Sequence, residues 1–351
     1  MRIGILTFHR AHNYGAVLQC YALQTYLQGQ GHDVYVIDHE PRSFYRFYNW
    51  FVPQLLRVRN PFEFIRRIKL LNAKRKRYDS FVNFIENRLL LCQEGTIFTN
   101  PFDVVIVGSD QVWNYTNGFD PYYWGAIKFP KQTTVVSYAA SMQDKWEEGV
   151  TLVIKELLQN FNKISVRESS LRDSLISLTG NEKIQHVLDP TLLLSGEQWS
   201  KLSAPRKIEK SYLLFFYVQY HPEAEKIANA IAAEKHLQFV RLTPDVDQLT
   251  SKSVQATTPE DFLSLFQHAD FVVSASFHGT VFCLQFKRPF LSFKMGIGKD
   301  SRVASLLEPL GLANHFTNQY NPDLDYSCTY DESKLLELKA QSYKYLDSVT
   351  E

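Results

Sequence analysis

The sequence lacks long apolar runs and has few cysteines. No stretch reaches the roughly 18 consecutive apolar residues of a membrane-spanning helix, and the N-terminal MRIGILTFHR has no basic region followed by a signal-type apolar segment. We therefore expect a cytoplasmic protein. The four cysteines lie far apart without a C-x-x-C pair, which indicates neither a disulfide scaffold nor a zinc site.

Motifs for nucleotides and metal ions are absent as well. G-x-G-x-x-G does not follow the first predicted strand, and G-x-x-x-x-G-K-[ST] is missing, which argues against a dinucleotide enzyme and a P-loop NTPase. There is no H-E-x-x-H and no cluster of histidines and acids at metal-ligand spacing. We expect neither a bound metal ion nor a cofactor.

Acidic residues are nearly missing from residues 42–77. This segment has eleven Lys or Arg, one acid and eight aromatic residues, whereas the whole chain has a net charge of only +1. From Asn60-Pro61 onward, apolar residues follow helical spacing: Phe64, Ile68, Leu71, Tyr78, Val82, Ile85 and Leu89. Either this is a long helix with a solvated basic face, or it is an interfacial patch for an anionic membrane or a lipid diphosphate. Nucleic acid would use the same charge, but no nucleic-acid-binding motif accompanies it, so we expect no such partner.

What the sequence does contain is a regular alternation of apolar strands and helices. At 351 residues it is too long for one ordinary core. The strands of a first series are expected at 2–8, 33–38, 103–110, 134–141, 163–168 and 184–190, and those of a second at 211–218, 238–242, 270–275 and 289–293. This pattern predicts two doubly wound α/β domains, 1–195 and 196–351, with a helical insertion at about 42–95. The cleft between their strand ends is the default place for a ligand.

His278 interrupts two apolar runs in VVSASFHGTVFCLQF, residues 272–286. Backbone N–H groups and the positive end of the helix dipole converge at such a helix start and favour an anion such as phosphate. Gly279 would let the backbone approach closely. Alternatively, Ser276 caps the helix and His278 is a satisfied polar residue of its first turn.

Two other predicted strands end in polar residues. In GSDQVWN (108–114), Asp110 either presents a carboxylate to the cleft or caps a turn. In SVRE (165–168), Arg167 either binds a phosphate or carboxylate or forms a salt bridge with Glu168 or another acid.

In their order and spacing, the motifs of this chain resemble those of the polysaccharide pyruvyl transferases. The resemblance runs from residue 1 to about 312 and rests on NYGAVLQCYALQ, DVVIVGSDQVWN, SYAAS, ISVRE, VLDPTLLL, PEDFL, ADFVVSASFHGTVFCLQF and SRVASLLEPLGL. It implies a fold similar to that of the GT-B glycosyltransferases, with two Rossmann-like domains and a cleft between them. It also implies a reaction that takes the carboxyvinyl unit of phosphoenolpyruvate, releases phosphate and leaves pyruvate as a ketal on two sugar hydroxyls.

The resemblance also implies roles for residues. The family histidine falls on His278 and the family's strand-end arginine on Arg167. Many members carry another arginine two residues before the histidine, where this chain has Ser276, so Lys294 and Arg302 are the nearest replacements in sequence. We expect the donor to contact Arg167, Ser276, Gly279, Thr280, Lys294 and Arg302.

The chemistry of such a transfer requires an acid and a base. His278 would protonate C3 of the donor, and Asp110 is the candidate base for the sugar hydroxyl. Sugar recognition would involve the N-terminal loops, where Asn13, Asn114 and Ser137 can bond hydroxyls and Tyr14 and Trp113 can stack on the ring.

The acceptor in this family is often a lipid-linked oligosaccharide, so residues 42–77 would hold the enzyme peripherally at the inner face of the plasma membrane. Two other functions remain open. One is a GT-B glycosyltransferase with a nucleotide-sugar donor, and the other is a non-catalytic protein that binds an anionic glycan or another polyanion.

Overall fold

A computed structural model describes residues 1–41, 60–115, 118–142, 146, 148–243, 253–254, 258–296 and 300–350. Much of the basic segment, residues 42–59, therefore lies outside the described residues. Within the described part, no helix is long and apolar enough to cross a bilayer. The four cysteines are free thiols, as the sequence predicts.

The first half of the chain forms a five-stranded parallel sheet with the order β3-β2-β1-β4-β5. Its strands are β1 (Arg2–Leu6), β2 (Asp33–Asp38), β3 (Leu91–Gln93), β4 (Val104–Val107) and β5 (Thr134–Ser137). A short parallel pair, β6 (Ser165–Val166) and β7 (Gln185–His186), continues beyond β5 through isolated bridges. The central strands are buried on both faces, which explains their continuous Val and Ile content.

The second half forms a six-stranded parallel sheet with the order β10-β9-β8-β11-β12-β13. Its strands are β8 (Tyr212–Tyr217), β9 (Gln238–Leu242), β10 (Ser253–Val254), β11 (Phe271–Ala275), β12 (Phe290–Phe293) and β13 (Phe316–Thr317). The two predicted series of strands thus form two separate sheets. The sequence did not predict the short strands β3, β10 and β13.

Helices connect and cover the strands. They are α1 (Tyr14–Gly29), α2 (Pro61–Arg88), α3 (Thr96–Thr99), α4 (Thr151–Leu157), α5 (Ser169–Thr179), α6 (Gly196–Leu202), α7 (Pro222–Glu234), α8 (Pro259–Gln267), α9 (Phe277–Gln285), α10 (Ser301–Leu307) and α11 (Glu332–Thr350). The expected strand at 2–8 stops at Leu6, because the His9 amide donates to the Thr7 carbonyl (2.8 Å) and turns the chain. The helix expected from about Gly279 begins at Phe277.

The long helix α2 begins at Pro61, as the sequence predicts, but its apolar stripe is not buried along its whole length. Phe64 and Ile68 are exposed, whereas Phe81 is fully buried. Leu71 is the first buried residue of the stripe, and further along α2 the Phe81 ring lies 5.1 Å from that of Tyr14 on α1. The apolar side chains Phe64, Ile65 and Ile68 near the start of α2 are therefore exposed.

Helix α1 joins the two sheets into one core. Its sequence, YGAVLQCYALQTYLQG, is apolar on nearly every side, as expected of a helix covered all round. We call each sheet with its covering helices a unit. One side of α1 packs with the sheet of the first unit, and the other side meets the second unit, where Tyr14 stacks on Phe262 (4.7 Å, 13°). The N-terminus of α1 consequently lies at the junction between the two units.

The last helix, α11, returns from the second unit to the first. The hydroxyl of Tyr345 donates to the carbonyl of Ser137 (2.7 Å), and Tyr343 stacks on Tyr26 (5.0 Å, 5°). The residues after the second sheet thus pack on the unit that begins the chain, and they help to fix the orientation of one sheet to the other.

Candidate functional site

The candidate site lies at the carboxyl edge of the first sheet, where polar residues follow β4, β5 and β6. Asp110, Ala140 and Val166 are neighbours through parallel bridges, although their strands are far apart in sequence. Because parallel strands end at the same edge, the side chains after them converge. Arg167 and Asp110 are brought together in this way, with Arg167 Nη2 3.6 Å from Asp110 Oδ1.

Arg167 is a buried cation, only 3% exposed. Its Nη1 donates to Asp189 Oδ2 (2.6 Å), and its Nε lies 3.6 Å from Glu168 Oε1. The contacts of Nε with Glu168 and of Nη2 with Asp110 are too long for hydrogen bonds. Within the described residues neither nitrogen has a hydrogen-bond partner. A guanidinium with buried, unused donors is suited to an anion such as a phosphate or carboxylate.

The surroundings keep Arg167 charged. Burial acts to lower the pKa of its guanidinium, but the carboxylates of Asp189, Glu168 and Asp110 outweigh this and raise the pKa. The Phe277 ring of the second unit covers one face of the guanidinium, 4.6 Å from Cζ. The cation is thus held by both units.

Asp189 lies beside both Arg167 and His278, and the sequence pattern did not single it out. Its Oδ1 accepts from the amide (3.0 Å) and hydroxyl (2.6 Å) of Thr191, at the start of a 3-10 turn. Its Oδ2 accepts from Arg167 and Ser109 (3.2 Å). Burial acts to raise the pKa of Asp189, but His278, Arg167 and Thr191 together lower it, so the carboxylate stays ionised. The available signal was VLDP, an acid near the end of the strand expected at 184–190.

His278 reaches this carboxylate from the second unit. Its Nε2 lies 3.5 Å from Asp189 Oδ2, an electrostatic contact longer than a normal hydrogen bond. Nε2 is buried and has no hydrogen-bond partner within the described residues. Arg167, predicted to bind the donor, and His278, predicted to be the acid, therefore converge on a single carboxylate.

The His278 ring lies directly on Gly15. A Cβ at that position would come within 2.0 Å of His278 Nδ1, so only glycine admits the ring. Asn13 caps α1 by accepting from the Gly15 amide (2.9 Å). The N-termini of α1 and α9 therefore meet around one imidazole. Their partial positive charges favour an anion there.

A buried polar network fixes the turn after β4. Gln19 Nε2 donates to the Thr7 hydroxyl (2.9 Å), which donates to the Ser109 carbonyl (2.9 Å). Beyond this turn Asp110 adopts a left-handed backbone (φ 71°), and its Oδ1 accepts from the Gln111 amide (2.9 Å). Asp110 thus caps a turn, as one alternative predicted, and also faces Arg167. Gln19 belongs to NYGAVLQ, but only the fold reveals its partner.

The remaining predicted donor residues have other surroundings. Ser276 precedes α9 without a capping bond from its side chain, and Gly279 packs tightly against Ser274. The Thr280 hydroxyl pairs with that of Ser292 (2.7 Å) inside the second unit. Lys294 is exposed after β12, with its Nζ 5.3 Å from the Phe316 ring centre. Arg302 is half-buried in the first turn of α10.

The predicted acceptor residues are mostly covered. Tyr14 lies between Phe81 and Phe262, and Trp113 stacks on Trp124 (5.4 Å) in the core of the first unit. Asn114 is buried, and the buried Ser137 hydroxyl donates to the Ser165 carbonyl (3.0 Å). Asn13 is half-buried at the start of α1. Neither Tyr14 nor Trp113 presents an open ring face in this structure.

Similar solved structures define the fold. UDP-GlcNAc 2-epimerase of Methanocaldococcus jannaschii, in complex with UDP-GlcNAc and UDP, matches with a TM-score of 0.50 and 12% identity over 100% of this chain and 99% of that one. The S. aureus MnaA–UDP structure matches with a TM-score of 0.50 and 12% identity over 100% and 98% of the two chains. The fold is therefore GT-B, as expected. No curated protein sequence matches the chain.

A family model for polysaccharide pyruvyl transferase matches residues 13–295, the part of the chain that holds Asp110, Arg167, Asp189 and His278. This protein belongs to that enzyme family. The match includes the N-terminus of α1 and both units, and so covers every residue placed above around the shared carboxylate.

The contact between Gly15 and His278 can be tested without changing any titratable group. We expect Gly15→Ala to fold, because alanine is favourable in a helix, and to lose about 100-fold in pyruvyl transfer because the ring must move. Gly29→Ala, on the same helix with nothing within 4 Å of the new Cβ, is the control. Equal turnover in the two variants would contradict the proposed position of His278.

The pairing of Asp189 can be tested by unfolding in urea. Removal of one partner from a buried ion pair leaves the other charge uncompensated, so Asp189→Asn should lower the free energy of unfolding by about 3 kcal/mol. Asp173→Asn removes an exposed partner of Arg172 (2.7 Å) and should cost less than about 1 kcal/mol. If both variants lose the same stability, the buried pair is not the constraint described here.

Proposed function

We propose that this enzyme transfers pyruvate from phosphoenolpyruvate to two hydroxyls of a sugar in a surface-polysaccharide precursor, as a ketal, with release of phosphate. The observation that carries the proposal is the pair of unused buried donors on Arg167 beside His278, where two helix N-termini meet. Phosphoenolpyruvate places a phosphate and a carboxylate close together, and such a group matches a guanidinium combined with helix amides.

In the proposed reaction, His278 donates a proton to C3 of phosphoenolpyruvate while a sugar hydroxyl adds to C2. Asp110 would accept the hydroxyl proton, since it lies 3.6 Å from Arg167 and its side chain is partly exposed. The second hydroxyl then displaces phosphate from C2, and its proton leaves with the phosphate or through a base. The products are the ketal and inorganic phosphate.

The charge balance limits how the donor is held. Arg167 and His278 face three carboxylates, those of Asp110, Glu168 and Asp189, so these ionisable groups carry no net positive charge. A dianion would depend on the two helix N-termini and on the unused guanidinium donors, which are fixed before it arrives. This chain has Ser276 where many family members have arginine, and the cation that replaces it is to be sought at Lys294 or Arg302.

The exposed end of α2 supports a peripheral membrane location, with a lipid-linked acceptor. Phe64, Ile65 and Ile68 are exposed apolar residues of a helix that also exposes Lys69. Cations near an anionic leaflet contribute about 1 kcal/mol each, and apolar side chains enter the headgroup layer. A cytoplasmic enzyme with this surface would meet its acceptor at the inner face of the membrane.

The donor is tested by incubating the protein with phosphoenolpyruvate and a panel of nitrophenyl and lipid-linked sugars, and by following phosphate release together with the mass gain of the acceptor. We expect His278→Asn to lose about 100-fold in phosphate release, as for removal of a general acid. His236→Asn, an exposed position after α7, should be unaffected.

Thermal unfolding with ligands separates the other two functions. Phosphoenolpyruvate should raise the melting temperature, whereas stabilisation by UDP or GDP alone would favour a nucleotide-sugar donor. A non-catalytic binding protein would be favoured by two results together. His278→Asn would leave turnover unchanged, and neutralising the cations of 42–77 would abolish affinity for a polyanion.

Membrane association is tested by sedimentation with vesicles that contain anionic lipid. We expect a variant with the Lys and Arg of 42–77 changed to Gln, and the double variant Phe64→Ser/Ile65→Ser, to stay in the supernatant. Leu336→Ser removes an even more exposed apolar residue from α11 and should sediment like the parent. If the neutralised variant sediments as fully as the parent, the membrane surface is elsewhere or absent.

A further inference from the structure

A groove separate from the Arg167–His278 site lies between helix α2 and the start of helix α8, with a volume of about 540 Å³. Residues of α2 face residues of the second unit across it: Asn72, Lys76, Ser80 and Asn83 on one side, Thr258 and Glu260 on the other. The ion pair of Arg75 with Asp79 (3.5 Å) also lines it. Because α2 is inserted in the first unit, the groove crosses the junction between the two units.

The walls of this groove are polar but carry no single sign of charge. They offer amides, hydroxyls, carboxylates and cations, with no aromatic or large aliphatic residue among those that line it. Amides and carboxylates can each hydrogen-bond to neighbouring hydroxyls. A polyanion would be repelled by Asp79 and Glu260 as much as attracted by Arg75 and Lys76. The chemistry therefore fits a neutral polyhydroxylated chain.

Both walls are attached to the loop beneath His278. Arg77, beside Lys76, donates from Nη2 to the His12 carbonyl (2.9 Å) and from Nη1 to the Tyr14 hydroxyl. Phe262, four residues after Thr258, stacks on Tyr14 (4.7 Å). Tyr14 in turn precedes Gly15, on which the His278 ring lies. Residues next to both walls thus contact Tyr14, the neighbour of the glycine beneath the His278 ring.

The groove also runs toward the exposed apolar end of α2. With a rise of about 1.5 Å per residue, Asn72 and Asn83 lie about 16 Å apart along the axis, and Ile68 is about 6 Å before Asn72. This length exceeds a single sugar ring and suits several linked ones. One helix therefore presents an apolar surface, then a polar groove, close to the residues around Gly15.

We propose that the groove between α2 and α8 binds the glycan of the acceptor at units remote from the sugar that receives pyruvate. The inference rests on the proposed function in that the acceptor is a glycan chain. It assigns selection of acceptor length to Asn72, Ser80 and Asn83.

The test combines binding to an array of neutral bacterial surface oligosaccharides with kinetics on the matching nitrophenyl monosaccharide. We expect Asn83→Ala and the groove-filling Ser80→Phe to weaken oligosaccharide binding roughly tenfold or more, the effect of one or two lost hydrogen bonds. Asn87→Ala, one turn further along the same helix and outside the groove, is the matched control. KM for the monosaccharide should be the same in all variants, because it does not reach the groove.

Two results would overturn the proposal. One is that the parent binds no oligosaccharide on the array, and the other is that the groove variants bind as the parent does. If glycan binding depends on the groove but phosphoenolpyruvate releases no phosphate, the groove proposal stands and the proposed donor is wrong. If the monosaccharide forms the ketal normally but the groove variants bind oligosaccharides as the parent does, the proposed donor stands and the groove proposal is wrong.

Discussion

The structure depends on one buried carboxylate, that of Asp189, which pairs with a guanidinium from the first unit and lies beside an imidazole from the second. Burial of these charges is costly, and their mutual attraction offsets the cost only when the geometry is good. The bonds from Thr191 and Ser109 provide that geometry by fixing both oxygens of Asp189. Because Asp189 contacts a side chain from each unit, the relative position of the units and the arrangement of the site are the same constraint.

Helix α1 makes this constraint possible. It is apolar on almost all sides, so it packs with both sheets and brings its N-terminus to their junction. Gly15 then leaves room for the His278 ring, and Gln19, one turn further on, holds the turn that carries Ser109. The same sixteen-residue helix thus contributes to the core, to the interface and to the geometry of the candidate site.

The electrostatics of the site explain why it is suited to a transferred anion. Arg167 keeps its charge in a buried position because carboxylates surround it, yet two of its nitrogens remain without hydrogen-bond partners among the described residues. Such donors are costly to leave unmet, and an anionic ligand would satisfy them. The arrangement agrees with membership of the polysaccharide pyruvyl transferase family, whose model includes every one of these residues.

The sequence by itself determined the two series of parallel strands, the long helix from Pro61, and the polar strand ends at Asp110, Arg167 and His278. These follow from local periodicity and from the rule that parallel strands end at one edge. Only the tertiary structure decided that Asp189 joins Arg167 to His278, that Tyr14 and Trp113 are covered, and that α2 and α8 enclose a groove. These contacts join residues distant in sequence, and they depend on how the two sheets are oriented, which no local pattern encodes.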